Sequence, residues 1–233
     1  MVRRACLVLV LLAAIAPAEF LRSTRTEIAW TGKLPTKARI DVAAEPGVAK
    51  HRPLLVYIES DLLSKDQERF DNVVSAIDQF KLATKFFDCV KLKLAEAQKA
   101  PFLEDIKLKA PSIIVYSGDR SKYKVAKGRL SSMKAVSVMR SIGQPDYETN
   151  IKGTLRSAKV LLGSYDQISD AQNAIDIKTR RWNDSMSKGE KAKAAALRRD
   201  LDKDIAAREK HLKETDEKWK KLWTLKRKVK AKS

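Results

Sequence analysis

Residues 54–58 read LLVYI, and this unbroken apolar run decides the fold. A strand with one face in water alternates apolar and polar residues, whereas a strand covered on both faces is apolar throughout. We therefore predict a central strand here. The polar stretch 59–64, ESDLLS, follows directly and predicts the turn into a helix, because Ser60 and Asp61 are residue types that cap helix N-termini.

The apolar spacing downstream of this strand predicts the rest of an α/β layer. Runs at 86–94 and 112–116 predict two more strands, and SGD at 117–119 before 123–126 predicts a hairpin. A last helix begins at Ser131 or Ser132 and ends at Gly143. Spacings of three and four predict one amphipathic helix before the second strand. Its buried positions are Phe70, Val73, Val74, Ile77 and Phe80. This order predicts a mixed sheet flanked by helices.

Three short runs resemble exported members of the thioredoxin-like superfamily. Trp30 and a series of alanines precede 50–57 (KHRPLLVY), which looks like the Lys-Pro lead-in to that family's first central strand. Residues 110–116 (APSIIVY) are similar to its cis-proline loop and the strand after it, and 127–131 (KGRLS) to the glycine turn before its last helix. The resemblance implies a thioredoxin-like domain over 38–143.

The chain departs from that family where the chemistry would be. The resemblance places a Cys-x-x-Cys pair directly after the first central strand, and this sequence has ESDLLS there. Thiol–disulfide exchange needs a thiolate at the helix N-terminus and a second thiol that resolves the mixed disulfide. We therefore predict a redox-inactive protein that is not an enzyme. No catalytic motif and no ligand spacing for a metal occurs, so we expect no metal and no cofactor.

The resemblance also implies a peptide-binding site, because in that family the residue before the cis-proline offers backbone groups to an extended peptide. The residues that it marks in this chain are Ser60, Asp61, Leu62, Ala110 and Pro111. Strand addition of this kind is a recurring mode of peptide recognition. The alternative is that Pro111 only begins a strand and fixes a tight turn.

Residues 1–18 have the order of a secretory signal peptide. Two arginines precede an apolar run at 5–16, and Ala-Pro-Ala at 16–18 offers a cleavage site. The run is shorter than the roughly 20 residues that cross a bilayer. We expect a cleaved leader rather than a retained anchor, and an extracytoplasmic location, periplasmic or secreted.

Export leaves Cys89 as the only thiol of the mature chain, because Cys6 lies inside the leader. Cys89 stands in an apolar run, and free cysteine is among the most buried residue types. We interpret it as an inert core residue. A thiol-dependent redox enzyme that uses Cys89 is the alternative, and it requires an exposed thiol with a lowered pKa.

The composition changes after Gly143. We divide the chain into an entry segment at 19–37, the domain at 38–143, a linker at 144–153 and a basic helical hairpin at 154–233. Apolar positions at three-four spacing run from Leu155 to Ile175 and from Leu197 to Val229, with a break at 185–189. They predict two antiparallel helices that resemble a coiled coil, and such a seam allows a homo-oligomer.

The net charge is +19, with 48 basic and 29 acidic residues. The basic residues that crowd the end of the hairpin are Lys218, Lys220, Lys221, Lys226, Arg227 and Lys228. They predict either contact with an anionic envelope surface or an ordinary solvated helix face. Export and an aromatic content of only 6% disfavour nucleic acid. Trp219 and Trp223 lie four apart, and they either anchor a partner or pack within the hairpin.

Together these patterns favour an exported protein-binding or scaffold module whose protein partner the sequence does not name. Binding of an anionic surface through the basic C-terminal residues is the second hypothesis. Catalysis by Cys89 is the third.

Overall fold

The computed structural model describes residues 18–32, 52–62, 64–127 and 131–228. The chain forms two compact units. The sheet unit comprises Thr26–Lys159 with Leu222–Ser233, and the helical unit comprises Met1–Arg25 with Val160–Lys221. The helices are α1 (Ala18–Thr26), α2 (Lys65–Ala76), α3 (Asp78–Thr84), α4 (Leu94–Gln98), α5 (Ser132–Gly143), α6 (Ile151–Ser187) and α7 (Lys191–Leu222). The strands are β1 (Trp30–Thr31), β2 (Leu54–Glu59), β3 (Asp88–Lys93), β4 (Ser112–Tyr116) and β5 (Tyr123–Lys127).

The five strands form one mixed sheet in the order β1-β3-β2-β4-β5. Strand β3 runs parallel to both β1 and β2, whereas β4 is antiparallel to β2 and to β5. The predicted α/β class and the predicted β4–β5 hairpin are confirmed. The expected strand at 86–94 is shorter, because Phe86 and Phe87 belong to the turn after α3.

Strand β2 lies in the middle of the sheet, and its residues 54–58 are all buried. Alternate side chains of a strand point to opposite faces. Tyr57 packs on one face against Phe70 of α2, with ring centroids 4.5 Å apart. Leu54, Val56 and Ile58 face the other way and belong to a core that residues 94–110 help to cover. The apolar run is therefore covered on both faces, as its sequence predicts.

The prediction of one long helix between the first two predicted strands is wrong at Ile77. Helix α2 ends at Ala76, Ile77 takes an extended conformation (φ −94°, ψ 114°), and α3 begins at Asp78. Ile77 is exposed rather than part of a buried stripe, while Phe70 and Phe80 are buried as predicted. The helix also begins later than expected, because the N-cap is Ser64.

The helical unit contains α1, most of α6 and most of α7. Helices α6 and α7 meet at a turn where Gly189 has φ +71°, a conformation that favours glycine. Residues that contact each other across the two helices lie at similar sequence distances before and after this turn, as Lys178 and Asp204 do in their ion pair. The two helices therefore run antiparallel, as predicted.

Helix α1 is a third member of this unit, and the sequence did not predict it. Arg25 of α1 donates to Asp216 of α7 at 2.8 Å, and its guanidinium lies over the Tyr165 ring of α6. The Tyr165 hydroxyl donates to the same carboxylate at 2.6 Å. This shared acceptor joins all three helices, so residues 18–25 are structural rather than a simple entry segment.

The C-terminal helix is shorter than predicted. Helix α7 ends at Leu222, and in residues 223–228, here called the arm, a turn at 223–225 is followed by residues 226–228, which pair with 146–149. The Lys228 amide donates to the Asp146 carbonyl at 3.0 Å, and the Glu148 amide donates to the Lys226 carbonyl at 2.9 Å. Trp223 packs against Phe86 with centroids 5.5 Å apart. Expecting Lys226 on the helix was therefore wrong.

Several expectations lie partly or wholly outside the described residues. The leader at 1–18 is described only at Ala18, and the broken helix expected at 38–50 is not described. The linker expected at 144–153 contains a 3-10 turn (Gln144–Asp146) and the start of α6. Within the described ranges, no helix has the length and hydropathy that a membrane crossing requires.

We predict that Trp223→Ala lowers the free energy of unfolding by about 2 kcal/mol, because it removes a half-buried aromatic contact from the sheet unit. Chemical denaturation measures this loss. Lys226→Ala is the matched control, since its side chain is exposed on the same arm, and it should leave stability unchanged. Equal stability of the two variants would show that the arm does not support the sheet unit.

Candidate functional site

The two halves of the expected peptide site meet at one end of the sheet. Ile58 of β2 pairs with Ser112 of β4 in an antiparallel ladder. The ladder ends at this pair, so Ser60 follows β2 and Ala110 with Pro111 precedes β4 at the same end of the sheet. The Ala110–Pro111 peptide bond is cis, the isomer that the sequence resemblance implies. Two segments that lie about fifty positions apart in the chain are thus brought to the same end of the sheet.

Ala110 offers the backbone groups that strand addition requires. Its side chain packs against the core below the sheet, and the residue is half-buried. Among the described residues, none forms a hydrogen bond with its N–H or its C=O. Pro111 beside it is buried and has no N–H to donate. An extended segment could therefore pair with Ala110 and not with Pro111.

A polar network holds the loop between β2 and α2. The backbone amide of Ser60 donates to the side-chain carbonyl of Gln67 at 2.8 Å. The backbone amide of Gln67 donates to Ser64 Oγ at 3.1 Å. Gln67 is 4% exposed, so this amide side chain is a buried anchor for the loop. Unpaired buried amides are costly, which favours the one loop conformation that satisfies Gln67.

Tyr57 and Asp71 complete this network. Gln67 Nε2 donates to Asp71 at 2.9 Å and contacts the Tyr57 hydroxyl, which itself donates to the second Asp71 oxygen at 2.9 Å. Burial, followed by the hydrogen bond to Asp71, raises the pKa of Tyr57 above its ordinary value. The phenol therefore stays neutral and remains a donor at physiological pH.

Asp61 and Leu62 have different roles in the loop. Both carboxylate oxygens of Asp61 accept from the Ala95 amide, at 3.2 and 3.3 Å, so Asp61 caps the first turn of α4. Leu62 is 79% exposed. Its apolar side chain stays in contact with water unless a partner molecule covers it. The loop thus has a fixed base and an apolar tip.

The sequence did not single out Tyr57, Gln67 or Asp71. The pattern Ser64-x-x-Gln67 could have revealed part of the network, because it is the spacing of a capping box. Gln67 departs from that motif, since its side chain binds the Ser60 amide. Only the fold shows that Tyr57, Gln67 and Asp71 share one network.

Cys89 lies away from this end of the sheet. It pairs with Leu55, whereas Glu59 pairs with Lys93, four residues further along parallel strands. At roughly 3.3 Å per residue, the thiol is about 13 Å from the level of Glu59. Cys89 is 5% exposed, and burial raises its pKa to about 12. A thiol with these properties is protonated at neutral pH and shielded from reagents.

The basic residues at the chain's end do not share one helix face. Lys218, Lys220 and Lys221 are exposed in the last turns of α7, within the helical unit. Lys226, Arg227 and Lys228 are exposed on the arm, within the sheet unit. The tryptophans divide in the same way. Trp219 packs on Tyr165, as expected of the hairpin, and Trp223 packs on Phe86 instead.

No cluster of three or more histidine, cysteine, aspartate or glutamate residues suited to a metal occurs in the described part of the chain. His211 is half-buried on α7, and His51 lies outside the described residues. No protein-family model and no curated protein matches this chain.

We predict that Cys89 reacts with iodoacetamide at least about a hundred-fold more slowly in the native protein than in denaturant, because its thiolate is rare and buried. A Cys6→Ser background confines the reaction to one thiol, and mass spectrometry follows it. The matched control adds Leu62→Cys to a Cys6→Ser, Cys89→Ser chain and should react at the rate of a free thiol. Rapid labelling of native Cys89 would revive the thiol-enzyme hypothesis.

Proposed function

We propose that this chain is an exported, redox-inactive protein with a thioredoxin-like sheet unit, and that it binds an extended peptide segment of a protein partner at Ser60, Asp61, Leu62, Ala110 and Pro111. The pairing of β2 with β4 supports the proposal, because the loop follows β2 and Ala110 precedes β4 at the same end of the sheet, and no described residue forms a hydrogen bond with the Ala110 backbone. The protein then acts as a binding or scaffold module and has no catalytic role.

The topology supports the thioredoxin-like part of this proposal. Parallel strands β1, β3 and β2 followed by antiparallel β4 and β5 agree with the sequence resemblance, as do the helix after β2 and the cis-proline before β4. Ser64 caps α2, whose N-terminus follows the loop where the family has its cysteines.

The chemistry of the loop supports binding rather than exchange. Its side chains are hydroxyl, carboxylate and leucine, and none of them can form a disulfide. Two of its members are already engaged in fixed hydrogen bonds, through the Ser60 amide and the Asp61 carboxylate. A rigid base lowers the entropy that binding removes, which favours recognition at an exposed apolar tip.

We predict that Leu62→Asp weakens binding of peptides selected on the wild-type protein at least ten-fold. The selection uses a displayed library of random peptides on the immobilised mature protein, and fluorescence polarisation measures the affinity of synthetic copies. Peptide binding should bury Leu62, and a carboxylate there loses that contact.

Met133→Asp is the matched control, because Met133 is 76% exposed on α5 and the change in charge is the same. It should leave affinity unchanged. Peptides that bind both variants equally well would place the site elsewhere, and a selection that enriches nothing would count against peptide binding by this unit.

A second candidate is attachment to an anionic surface, and the distribution of charge favours it. Residues 160–217 contain twelve basic and twelve acidic residues, so this part of the hairpin has no net charge. Residues 218–233 contain eight basic residues and no acidic ones. The basic excess of the hairpin is therefore concentrated at its end, whereas a solvated helix alternates its charges.

We predict that replacing Lys218, Lys220 and Lys221 by glutamine reduces binding to vesicles that contain anionic lipid at least ten-fold, since each lysine near such a surface contributes about 1 kcal/mol. Cosedimentation at two salt concentrations measures the binding. A control that replaces Arg199, Lys203 and Lys210, which are exposed in the neutral stretch, removes the same charge and should have little effect. Equal losses would show a response to net charge alone.

A further inference from the structure

Strand β5 is the edge of the sheet, with β4 on one side of it. Edge strands present unpaired backbone groups that can template another strand, and proteins manage such edges with charge. Strand β5 has five residues, which is enough for a ladder with an added segment.

The hairpin shows which backbone groups of β5 face outward. The Ser117 amide donates to the Lys122 carbonyl at 2.9 Å, so the backbone N–H and C=O groups of Lys122 point toward β4. In an antiparallel pair, these backbone groups point toward the partner strand at every second residue and away from it at the residues between. Lys124 and Ala126 therefore also bond β4, and the N–H and C=O groups of Tyr123, Val125 and Lys127 point away from it. Within the described ranges, these outward groups have no hydrogen-bond partner.

The side chains along this edge are strongly basic. Residues 122–129 (KYKVAKGR) contain four basic residues and no acidic one. The side chains of Lys122, Lys124 and Lys127 are exposed. The carboxylate closest in sequence, Asp119, accepts hydrogen bonds from the Ser117 and Ser121 hydroxyls in the turn. The edge therefore offers positive charge beside a row of unpaired backbone groups.

Its two faces differ, and the difference specifies a pattern. Lys122 and Lys124 project to one face, and Lys124 reaches the Ser141 hydroxyl of α5 at 3.2 Å. Tyr123, Val125 and Lys127 project to the other face, where Tyr123 is 47% exposed and packs against Tyr116 with ring centroids 5.5 Å apart. An added strand would meet positive charge on one face and, over Tyr123 and Val125, apolar surface on the other, with Lys127 at the end of that surface.

We propose that the β5 edge binds an extended acidic segment of another protein as a sixth strand, with acidic and apolar residues alternating along that segment. Acidic side chains pair with Lys122 and Lys124, apolar side chains cover Tyr123 and Val125, and the outward groups of Tyr123, Val125 and Lys127 supply the backbone hydrogen bonds. Strand addition of this kind takes affinity from the main chain and specificity from alternate side chains. The site is separate from the loop and the Ala110 backbone, and it does not depend on the function proposed above.

The experiment uses the mature protein and an eight-residue peptide that alternates glutamate with valine. Amide hydrogen exchange by NMR is measured with and without peptide. The amides of Tyr123, Val125 and Lys127 should exchange at least ten-fold more slowly when the peptide is bound, while those of Lys124 and Ala126, already bonded to β4, should change little. Unchanged exchange at the three outward amides would overturn the proposal.

Two control peptides test the hydrogen bonds and the charge. An analogue with N-methyl groups on the backbone amides along one edge keeps the side chains and should lose at least ten-fold in affinity. A peptide with lysine in place of glutamate should not bind. Equal affinity of the methylated and parent peptides would show adhesion to lysines without strand addition.

Variants separate this site from other interpretations. Lys122→Gln with Lys124→Gln should weaken the acidic peptide at least ten-fold, whereas Lys107→Gln with Lys109→Gln, which removes the same charge before β4, should not. If the edge lysines served only to repel other strands, their removal would strengthen association instead. Leu62→Asp should leave binding of this peptide unchanged, so failure of the loop site and failure of the edge site remain distinguishable.

Discussion

The structure of the sheet unit depends on the complete burial of β2. Each of residues 54–58 is at most 3% exposed, and the strand pairs with β3 on one side and with β4 on the other. Burying a large apolar side chain contributes on the order of 1.5 to 3 kcal/mol. A shift of one residue would turn every side chain to the opposite face. The register that brings the loop after β2 and the segment before β4 to one end of the sheet is thus fixed by apolar packing.

The sequence predicts those elements of the fold that local residue patterns determine, and it misses those that depend on contacts between distant residues. The runs at 54–58 and 112–116 identify β2 and β4 because their burial is written in continuous apolar sequence. The break at Ile77 could not be predicted, since the three-four spacing continues through it. The arm was also missed, because Trp223 stays in phase with the α7 stripe while its ring packs on Phe86, far away in sequence. At Trp223 a tertiary contact overrode the local period.

The candidate site shows the same division. The sequence placed Ser60, Asp61 and Leu62 after β2 and Pro111 before β4, and the antiparallel register brings them together. It did not show that Asp61 caps α4, or that Gln67 fixes the loop from beneath. A buried glutamine between a tyrosine and an aspartate forms a network that must be satisfied as a whole. The loop after β2 is held by the hydrogen bond of the Ser60 amide to Gln67 and by that of the Asp61 carboxylate to the Ala95 amide.

The arm belongs to the sheet unit, although most of helix α7 before it belongs to the helical unit. Its residues 226–228 pair with 146–149, which also belong to the sheet unit. Because the exposed Lys226, Arg227 and Lys228 lie in this paired segment, three of the chain's C-terminal charges are held by backbone hydrogen bonds on either side of Tyr147. These three side chains therefore project from a backbone with a defined pairing, which a frayed helix terminus lacks.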